Sequence, residues 1–333
     1  MRRVLIPADL PPALRLPRGD AAVRELGGPT MGTSWSVKYV EIVPHETVAV
    51  RAAVERVLAR IIAQMSTWID DSEISRFNRA PAGTWCELSA DFHEVLRYGL
   101  SVARDTGGCY DPTIGALVDL WGFGPPGPRN DQPDVRLVDA AAARGGFRRL
   151  TFGPGPSVLQ PGGMQLDLSS VAKGFAVDRV SDALRSLGIA NHLVEIGGEL
   201  KGSGTKPDGS PWWVALEAPS DAGASVRDTV VALHGLSVAT SGDAQRYFEW
   251  NGRRCSHTLD PRSGRPVPDR LASVTVLHPG CMCADALATA LTVLGPDGGI
   301  DYAAATGLAA RFVIRRARCY EERITPAFAA MLE

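Results

Sequence analysis

The chain has 333 residues and a formal net charge of −2, with 45% of its residues hydrophobic and 22% charged. These values are typical of a globular protein with one large domain or two lobes. So small a charge excludes the basic surface that binds nucleic acid or anionic membranes. No apolar run approaches the ~20 residues that cross a bilayer, which excludes a transmembrane segment.

The N-terminal segment is rich in proline and arginine. In MRRVLIPADLPPALRLP, Asp9 and the prolines interrupt what would be the apolar core of a signal peptide. We therefore expect residues 1–28 to form an extended arm and the protein to be cytoplasmic. The six cysteines match neither a zinc site nor a redox C-x-x-C motif, so we expect reduced thiols.

Hydrophobic periodicity divides the rest of the chain into helices and strands. Helices are predicted at 46–65, 90–108, 170–187 and 283–294, and strands at 34–43, around 148–168, across 192–240, at 272–278 and at 309–316. A loop is predicted at 122–134. Because the strands come in runs, without strict strand–helix alternation, the pattern predicts an α+β fold with antiparallel or mixed sheets and several long helices.

The predicted helix CADALATALTVL (283–294) carries a carboxylate and a hydroxyl among small and apolar residues. Asp285 and Thr289 are four residues apart and so share one helix face. Asp285 could cap the helix while Thr289 bonds back to a carbonyl. Alternatively, these hard oxygen ligands could hold Mg²⁺ and leave room for phosphate oxygens. The spacing alone leaves both interpretations open.

A second polar stretch, QLDLSSVAKGFAVDRV (165–180), opens another predicted helix. Ser169 or Ser170 could cap it, after Asp167. Lys173 falls in the first turn, where the helix dipole disfavours a positive charge. It is either a surface lysine or a group that acts with the helix N–H groups on a bound phosphate or carboxylate. The order of residues is not that of a Walker A loop.

The stretch RRCSHTLDPRSGRPV (253–267) crowds Ser256, His257 and Asp260 into five residues. A nucleophile triad gathers its members in space, and the chain has no G-x-S-x-G motif, so a serine hydrolase is not expected. His257 is either structural or a lone general base.

Two further stretches, at 107–125 and 237–248, place glycine and an aromatic residue beside an aspartate. Such a composition suits a pocket for a flat ring system. It is equally compatible with turns that pack their aromatic side chains.

Taken in order, these stretches resemble the ApbE family, whose members are FAD:protein FMN transferases. The resemblance covers roughly residues 28–315. Its pieces are GPTMGTSWSV, MSTWIDDSEISRFN, YDPTIGALVDLWGFG, LDLSSVAKGFAVDRV, HLVEIGGELKGSG, VATSGD, SHTLDPRSGRPV, ASVTV and ADALATALTVLG.

The resemblance implies an ApbE-like (T-fold-like), two-lobed single domain over residues 29–333. It also implies a Mg²⁺-dependent reaction in which FMN passes from FAD to a Thr or Ser hydroxyl of an acceptor flavoprotein, and AMP leaves. Many family members are exported, so the absence of a recognisable signal peptide is a departure from the family pattern.

Carried over residue by residue, the resemblance implies that Mg²⁺ is held by Asp285, Thr289 and the backbone carbonyl of Ser170. His257 would be the catalytic base for the acceptor hydroxyl. The implied FAD pocket consists of Met31, Trp68, Cys109, Tyr110, Asp111, Asp167, Lys173, Leu259 and Ala288.

Two alternative functions share this site. A Mg²⁺-dependent FAD pyrophosphatase would use water in place of the acceptor hydroxyl and release FMN and AMP. A non-catalytic FAD-binding protein would keep FAD intact, although such a protein needs no metal ligands.

Overall fold

A computed structural model describes residues 3–7, 17, 19–41, 46–129, 131–242, 247–250 and 253–332. Its helices are α1 (Thr47–Met65), α2 (Glu73–Arg79), α3 (Ala90–Asp105), α4 (Gly115–Leu120), α5 (Val135–Ala142), α6 (Ala172–Ser186), α7 (Cys281–Ala305) and α8 (Pro326–Ala329). Its strands are β1 (Arg3–Leu5), β2 (Val23–Thr30), β3 (Thr33–Val40), β4 (Trp85–Glu87), β5 (Thr151–Phe152), β6 (Ser157–Leu159), β7 (His192–Ile196), β8 (Glu199–Ser203), β9 (Trp212–Ala215), β10 (Thr229–Leu233), β11 (Leu236–Gly242), β12 (Tyr247–Trp250), β13 (Arg253–Ser256), β14 (Leu259–Asp260), β15 (Arg265–Pro266), β16 (Leu271–His278), β17 (Ala309–Arg315) and β18 (Tyr320–Ile324).

An eight-stranded sheet forms the centre of the fold, in the order β18-β17-β16-β11-β8-β7-β3-β2. Its described pairings are antiparallel. Helices α6 and α7 pack on one face, with α1 and α3 against them. The small sheet β1-β10-β9 and helix α8 cover the other face. Since β1 pairs parallel with β10, the sheets are antiparallel and mixed, and the predicted α+β class is confirmed.

Both faces of the central sheet are buried at its inner strands β16 and β17, which explains their continuous apolar sequences. In β16, Val276 belongs to the main core under α7, whereas its neighbour Leu277 packs with Trp212 and Phe328 on the opposite face. Successive side chains of a strand point to opposite faces of the sheet. Because both faces are buried here, successive residues are apolar.

Helix α7 is buried around most of its circumference, as the small and apolar residues of 283–294 predict. It is interrupted at Gly295, whose φ of 79° is left-handed, immediately before Pro296. The predicted helix 283–294 is therefore the part before the interruption, and it begins two residues earlier, at Cys281.

The other long predicted elements also form, with shifted ends. The strand predicted at 34–43 ends at Val40, and the helix predicted from 170 begins at Ala172. Periodicity did not predict the short elements α2, α4, α5 and α8, nor the strands β1, β2, β4 and β18.

The predicted arm, residues 1–28, is only partly described. Residues 1–2, 8–16 and 18 lie outside the described residues, as do 243–246 of the stretch 237–248. Arg3–Leu5 form β1, with Leu5 fully buried. The predicted boundary at residue 28 falls inside β2, and the assignment of 29–333 to a single domain stays a prediction.

Candidate active site

The N-terminal ends of α6 and α7 meet without room for a side chain between them. A Cβ atom on Gly174 would lie 2.4 Å from the carbonyl oxygen of Cys281 and 2.7 Å from the Cβ atom of Asp285. Only glycine permits this approach. The two predicted polar stretches, far apart in sequence, are therefore adjacent; we call Ser170, Lys173, Gly174, Glu199 and Asp285 the α6–α7 junction.

Each of the two helices is capped by an aspartate of the other. The Gly174 N–H donates to Asp285 Oδ2 at 2.9 Å. In return, the N–H groups of Cys281 and Met282 donate to the two oxygens of Asp178, at 3.1 and 2.9 Å. Asp285 thus does not cap its own helix, which begins after Gly280. The prediction that Asp285 caps a helix is therefore correct, but the helix that it caps is α6 and not its own helix α7.

Because of this exchange, the backbone carbonyl of Ser170 lacks its usual helical hydrogen bond. In a regular helix, the N–H of residue 174 would bond to the carbonyl of residue 170. Here Asp285 takes that N–H, and no donor among the described residues reaches the Ser170 carbonyl oxygen. The predicted side-chain cap by Ser169 or Ser170 does not form, and α6 begins after Val171. Ser169 bonds to Asp167 instead, with its Oγ 2.5 Å from Asp167 Oδ1.

The Thr289 hydroxyl is also open. Thr289 is half-buried, and within the described chain its hydroxyl makes no hydrogen bond. The threonine that bonds back along α7 is Thr292, whose Oγ1 donates to the Ala288 carbonyl at 2.8 Å. The Asp285 carboxylate, one helical turn before Thr289, is 6% exposed, and its Oδ1 has no donor in the described part of the chain.

Lys173 pairs with a carboxylate that the sequence analysis missed. Its Nζ lies 2.7 Å from Oε1 of Glu199, which is 3% exposed. Burial and, next, the negative charge of Asp285 raise the pKa of Glu199 to about 8, although the nearby Lys173 opposes both. The unfavourable position of Lys173 in the first turn was a signal that a partner carboxylate lies nearby.

The junction buries two carboxyl groups beside a single ammonium group, and their pKa values show that a second negative charge is disfavoured there. Burial also raises the pKa of Asp285, against the opposing effects of Lys173 and the Gly174 N–H. Glu199 and Asp285 thus share the charge of one ammonium group. A buried carboxylate without full compensation is unfavourable, so the junction is suited to a bound cation.

The segment 109–111 lies beside the junction and is held firmly. Asp111 Oδ1 accepts from the N–H and hydroxyl of Thr113 at 2.8 and 2.6 Å, and its Oδ2 accepts from the Phe147 N–H at 3.0 Å. The Ser170 hydroxyl donates to the Tyr110 OH at 3.2 Å. Burial raises the pKa of Tyr110, and the charges of Asp285, Asp167 and Asp111 add to this effect. The negative charges of all three aspartates therefore disfavour ionisation of this phenol.

The predicted aromatic walls differ in exposure. Tyr110 packs in the main core, whereas Trp68, in the turn after α1, is 63% exposed. Trp68 thus offers the freer ring for stacking. Cys109 is buried beside Val267 and Val293, and burial raises its pKa, so it stays a thiol.

Met31 lies at the β2–β3 turn with φ 48°, a left-handed conformation unusual for a residue with a side chain. Thr33, the first residue of β3, lies close to the junction. A Cβ atom on Gly197 would lie 2.8 Å from the Thr33 methyl group and 3.4 Å from Lys173 Cδ, so Gly197 separates these two side chains. Ala288 is buried in the main core.

His257 and Leu259 belong to a second group, around α4. The His257 ring meets Phe123 edge-on at 6.3 Å, and Leu259 packs with Trp121. Ser256 Oγ accepts from the Thr258 N–H at 3.1 Å, and Asp260 binds Arg262 through both oxygens, at 2.9 and 2.8 Å. This arrangement supports the expectation that the three residues do not form a triad.

Asp119, on α4, is another carboxylate that the sequence analysis missed. Burial and the negative charge of Asp167 raise its pKa to about 6. Asp119 is therefore close enough to Asp167 for the two charges to interact.

Cavity size does not identify this site. A cavity of about 470 Å³ lies at the β17–β18 turn, around Arg315–Tyr320, and contains none of the predicted site residues. A smaller one of about 210 Å³ is lined by Asp111, Phe147 and Arg262. The candidate site is therefore marked by the chemistry of the junction and not by cavity volume.

No described group of three or more His, Cys, Asp or Glu side chains could hold a metal ion. A metal at the junction would therefore depend on carbonyl and hydroxyl oxygens as well as Asp285. Along the described part of the chain, no helix has both the length and the apolar character to cross a bilayer.

Comparisons with known proteins identify the family of the chain. The sequence model of the ApbE family matches residues 31–312. The FAD:protein FMN transferase of Haemophilus influenzae is 37% identical over 321 residues, covering 94% of this chain and 93% of that protein.

Solved structures are similar as well. The apo form of the flavinyl transferase ApbE of Pseudomonas stutzeri has a TM-score of 0.87 and 42% identity, over 93% of this chain and 97% of that one. The flavin transferase ApbE of Vibrio cholerae has a TM-score of 0.86 and 36% identity, over 94% and 100%. The resemblance found in the sequence is thereby confirmed: the chain belongs to the ApbE family.

Proposed function

We propose that this protein is a Mg²⁺-dependent FAD:protein FMN transferase that modifies a Thr or Ser hydroxyl of an acceptor flavoprotein. The acceptor oxygen forms a bond to the FMN phosphorus, and the bond from that phosphorus to the bridging diphosphate oxygen breaks. AMP leaves, and the hydroxyl proton passes to a base. The α6–α7 junction is the observation that carries this proposal.

The residues at the junction fit Mg²⁺. Asp285 Oδ1, the Ser170 carbonyl and the Thr289 hydroxyl are hard oxygen ligands, and none of them receives a hydrogen bond from a described donor. Burial raises the pKa of both Glu199 and Asp285, so a cation that stabilises their ionised forms would be favoured at the same place. When bound, Mg²⁺ would neutralise charge on the diphosphate of FAD.

Lys173 supplies the second positive charge of the site. Its ammonium group, near the N-terminal turn of α6, is suited to hold a phosphate oxygen of FAD. The remaining proposed FAD contacts are Met31, Trp68, Cys109, Tyr110, Asp111, Asp167, Leu259 and Ala288. The exposed ring of Trp68 can stack on a flat ring system.

His257 is the proposed base for the acceptor hydroxyl. A Thr or Ser hydroxyl is a weak nucleophile unless a neighbouring group accepts its proton. His257 is partly exposed, next to Phe123, so an acceptor side chain can approach its ring. Replacement of His257 by alanine should slow transfer and leave FAD binding largely intact.

Mass spectrometry tests the proposal directly. The protein, FAD, Mg²⁺ and candidate acceptor flavoproteins are incubated together, and an added FMN mass is sought on Thr or Ser. A parallel incubation without acceptor measures release of FMN and AMP. Rapid release there would identify a pyrophosphatase instead, and FAD that stays intact with every acceptor and with Mg²⁺ would identify a binding protein.

A further inference from the structure

Glu199 occupies an unusual position for a buried acid. It is the first residue of β8 and follows the Gly197–Gly198 turn, whose φ values are 61° and 101°. The turn aims the side chain beneath the N-terminal end of α6. Its Oε1 accepts from Lys173 Nζ at 2.7 Å, and the lysine side chain remains 31% exposed.

The lysine stem is confined by the same turn. A Cβ atom on Gly197 would lie 3.4 Å from Lys173 Cδ. The stem therefore runs along the glycine backbone, and Glu199 holds its end. A free lysine side chain samples many rotamers, so this confinement prepares the ammonium group before a ligand arrives.

The second oxygen of Glu199 argues against a purely structural ion pair. Oε2 is buried and has no hydrogen-bond partner within the described chain. A buried acid whose only role is stability gains from full hydrogen bonding, and apolar side chains of similar volume often serve stability better. Retaining a half-bonded carboxylate here fits a role in which charge near Lys173 matters.

We propose that Glu199 is a positioning residue that fixes the Lys173 ammonium group for the phosphates of FAD without touching FAD itself. The inference rests on the proposed function, in which Lys173 contacts FAD. A residue that acts only through Lys173 must lose its effect when Lys173 is absent.

A double-mutant cycle in the full-length protein tests this. FAD affinity is measured by fluorescence titration with Mg²⁺ and without acceptor, and KM and kcat are measured with acceptor. Glu199→Gln should raise the Kd and KM for FAD about tenfold, as expected for a group that orients a ligand-binding side chain, with a smaller change in kcat. In the Lys173→Ala background the same substitution should change Kd by less than about twofold.

The matched control is Glu195→Gln. Glu195 supports the same glycine turn, accepting from the Gly198 N–H at 2.9 Å and from the Ser36 hydroxyl at 3.2 Å, on the side of the turn away from the Glu199–Lys173 pair. It should keep FAD affinity within about twofold of the parent. If Glu199→Gln does not fold, Glu199→Asp enters the same cycle, because it keeps the charge but shortens the reach to Lys173.

Three results overturn the inference. Unchanged affinity in Glu199→Gln, beside a clear loss in Lys173→Ala, refutes it while the proposed function stands. An equal loss in both backgrounds shows that Glu199 acts independently of Lys173. Unchanged affinity in Lys173→Ala removes Lys173 from the FAD site and so contradicts the proposed function as well.

Discussion

The two ends of the α6–α7 pair use the same kind of residue in different ways. At one end Asp178 accepts the N–H groups of Cys281 and Met282 and also pairs with Lys201 at 2.6 Å. Both of its oxygens are occupied. At the other end Asp285 accepts one N–H group, from Gly174, and its second oxygen has no described donor.

Each end thus holds an aspartate cap and a lysine, but only the Asp178 end is complete. At the junction the lysine pairs with a third group, Glu199, which itself has an unbonded oxygen. Buried polar groups are normally fully hydrogen-bonded, so the incomplete end is where a ligand is expected. The comparison separates a capping aspartate that serves stability from one that also serves chemistry.

The largest expected effect is on transfer in Asp285→Ala. Because the substitution removes the proposed anionic metal ligand, transfer should fall on the order of a thousandfold. Stability should change little, by about 1 kcal/mol, since one helix cap is lost but an incompletely compensated buried charge is removed with it. Transfer rates at saturating Mg²⁺ and thermal unfolding measure the two effects. Full transfer activity in this variant would exclude Asp285 from the site.

Gly174→Ala tests whether the junction requires close contact. The added methyl group would meet the Cys281 carbonyl, which cannot move without moving α7. We expect a loss of as much as about 3 kcal/mol in the free energy of unfolding, together with weaker Mg²⁺ binding. Gly298→Ala is the control: a Cβ atom there has nothing within 4 Å, and alanine should stabilise the helix slightly. Equal stabilities of the two variants would contradict the packing argument.

The buried His192, beneath α6, allows a test of how stability depends on pH at a group whose polar atoms are all hydrogen-bonded. His192 is fully buried, and its Nδ1 donates to the Ile189 carbonyl at 2.9 Å, so its Nε2 accepts from the Ser181 hydroxyl at 2.8 Å. Burial lowers the pKa of His192 to about 4 from 6.5. Between these values the unfolded chain binds more protons than the folded one, so stability is complete above pH 6.5 and is lost as the pH falls towards 4.

The expected loss is about 3 kcal/mol across that window. Denaturant titrations at pH 7 and pH 4 should show it in the parent, and the difference should shrink in His192→Gln. The partly buried His234, which bonds to the Gly204 carbonyl at 3.1 Å, serves as control, and His234→Gln should keep the full difference. An unchanged difference in His192→Gln would show that other groups cause the acid destabilisation.

The sequence was enough to place Asp285 and Thr289 on one helix face, whereas their role as metal ligands stays a prediction. Asp285 and Thr289 share a face of any helix, and the apolar pattern of 283–294 makes that helix certain to form. The α+β class followed from the order of strands and helices. Both inferences depend only on residues or elements that are neighbours in the sequence.

The features that the sequence did not predict depend on which helices and strands pack together. Glu199 and Asp178 become site and cap residues only because α6, α7 and β8 pack together, and no local pattern states which helix an aspartate will cap. The same holds for β2, whose Gly-Gly-Pro sequence has poor strand propensity but pairs along β3 for its whole length. Tertiary pairing overrides local preference there.

Asp178→Ala tests the end of the helix pair at which both aspartate oxygens are bonded. Of the four predicted effects in this comparison it should be the smallest, a loss of about 2 kcal/mol in the free energy of unfolding. Two N–H groups of α7 lose their acceptor and Lys201 loses its partner. Transfer per folded molecule should stay within about twofold of the parent, because Asp178 belongs to no proposed ligand set. Asp182→Ala, which breaks only the pairs of Asp182 with Arg179 and Arg185, is the control and should cost less than about 0.5 kcal/mol. The test is run at a temperature where all variants are folded. If Asp178→Ala then lost transfer as severely as Asp285→Ala, the two ends of the helix pair would act as one unit, and an unsatisfied oxygen would no longer distinguish the chemical end from the structural one.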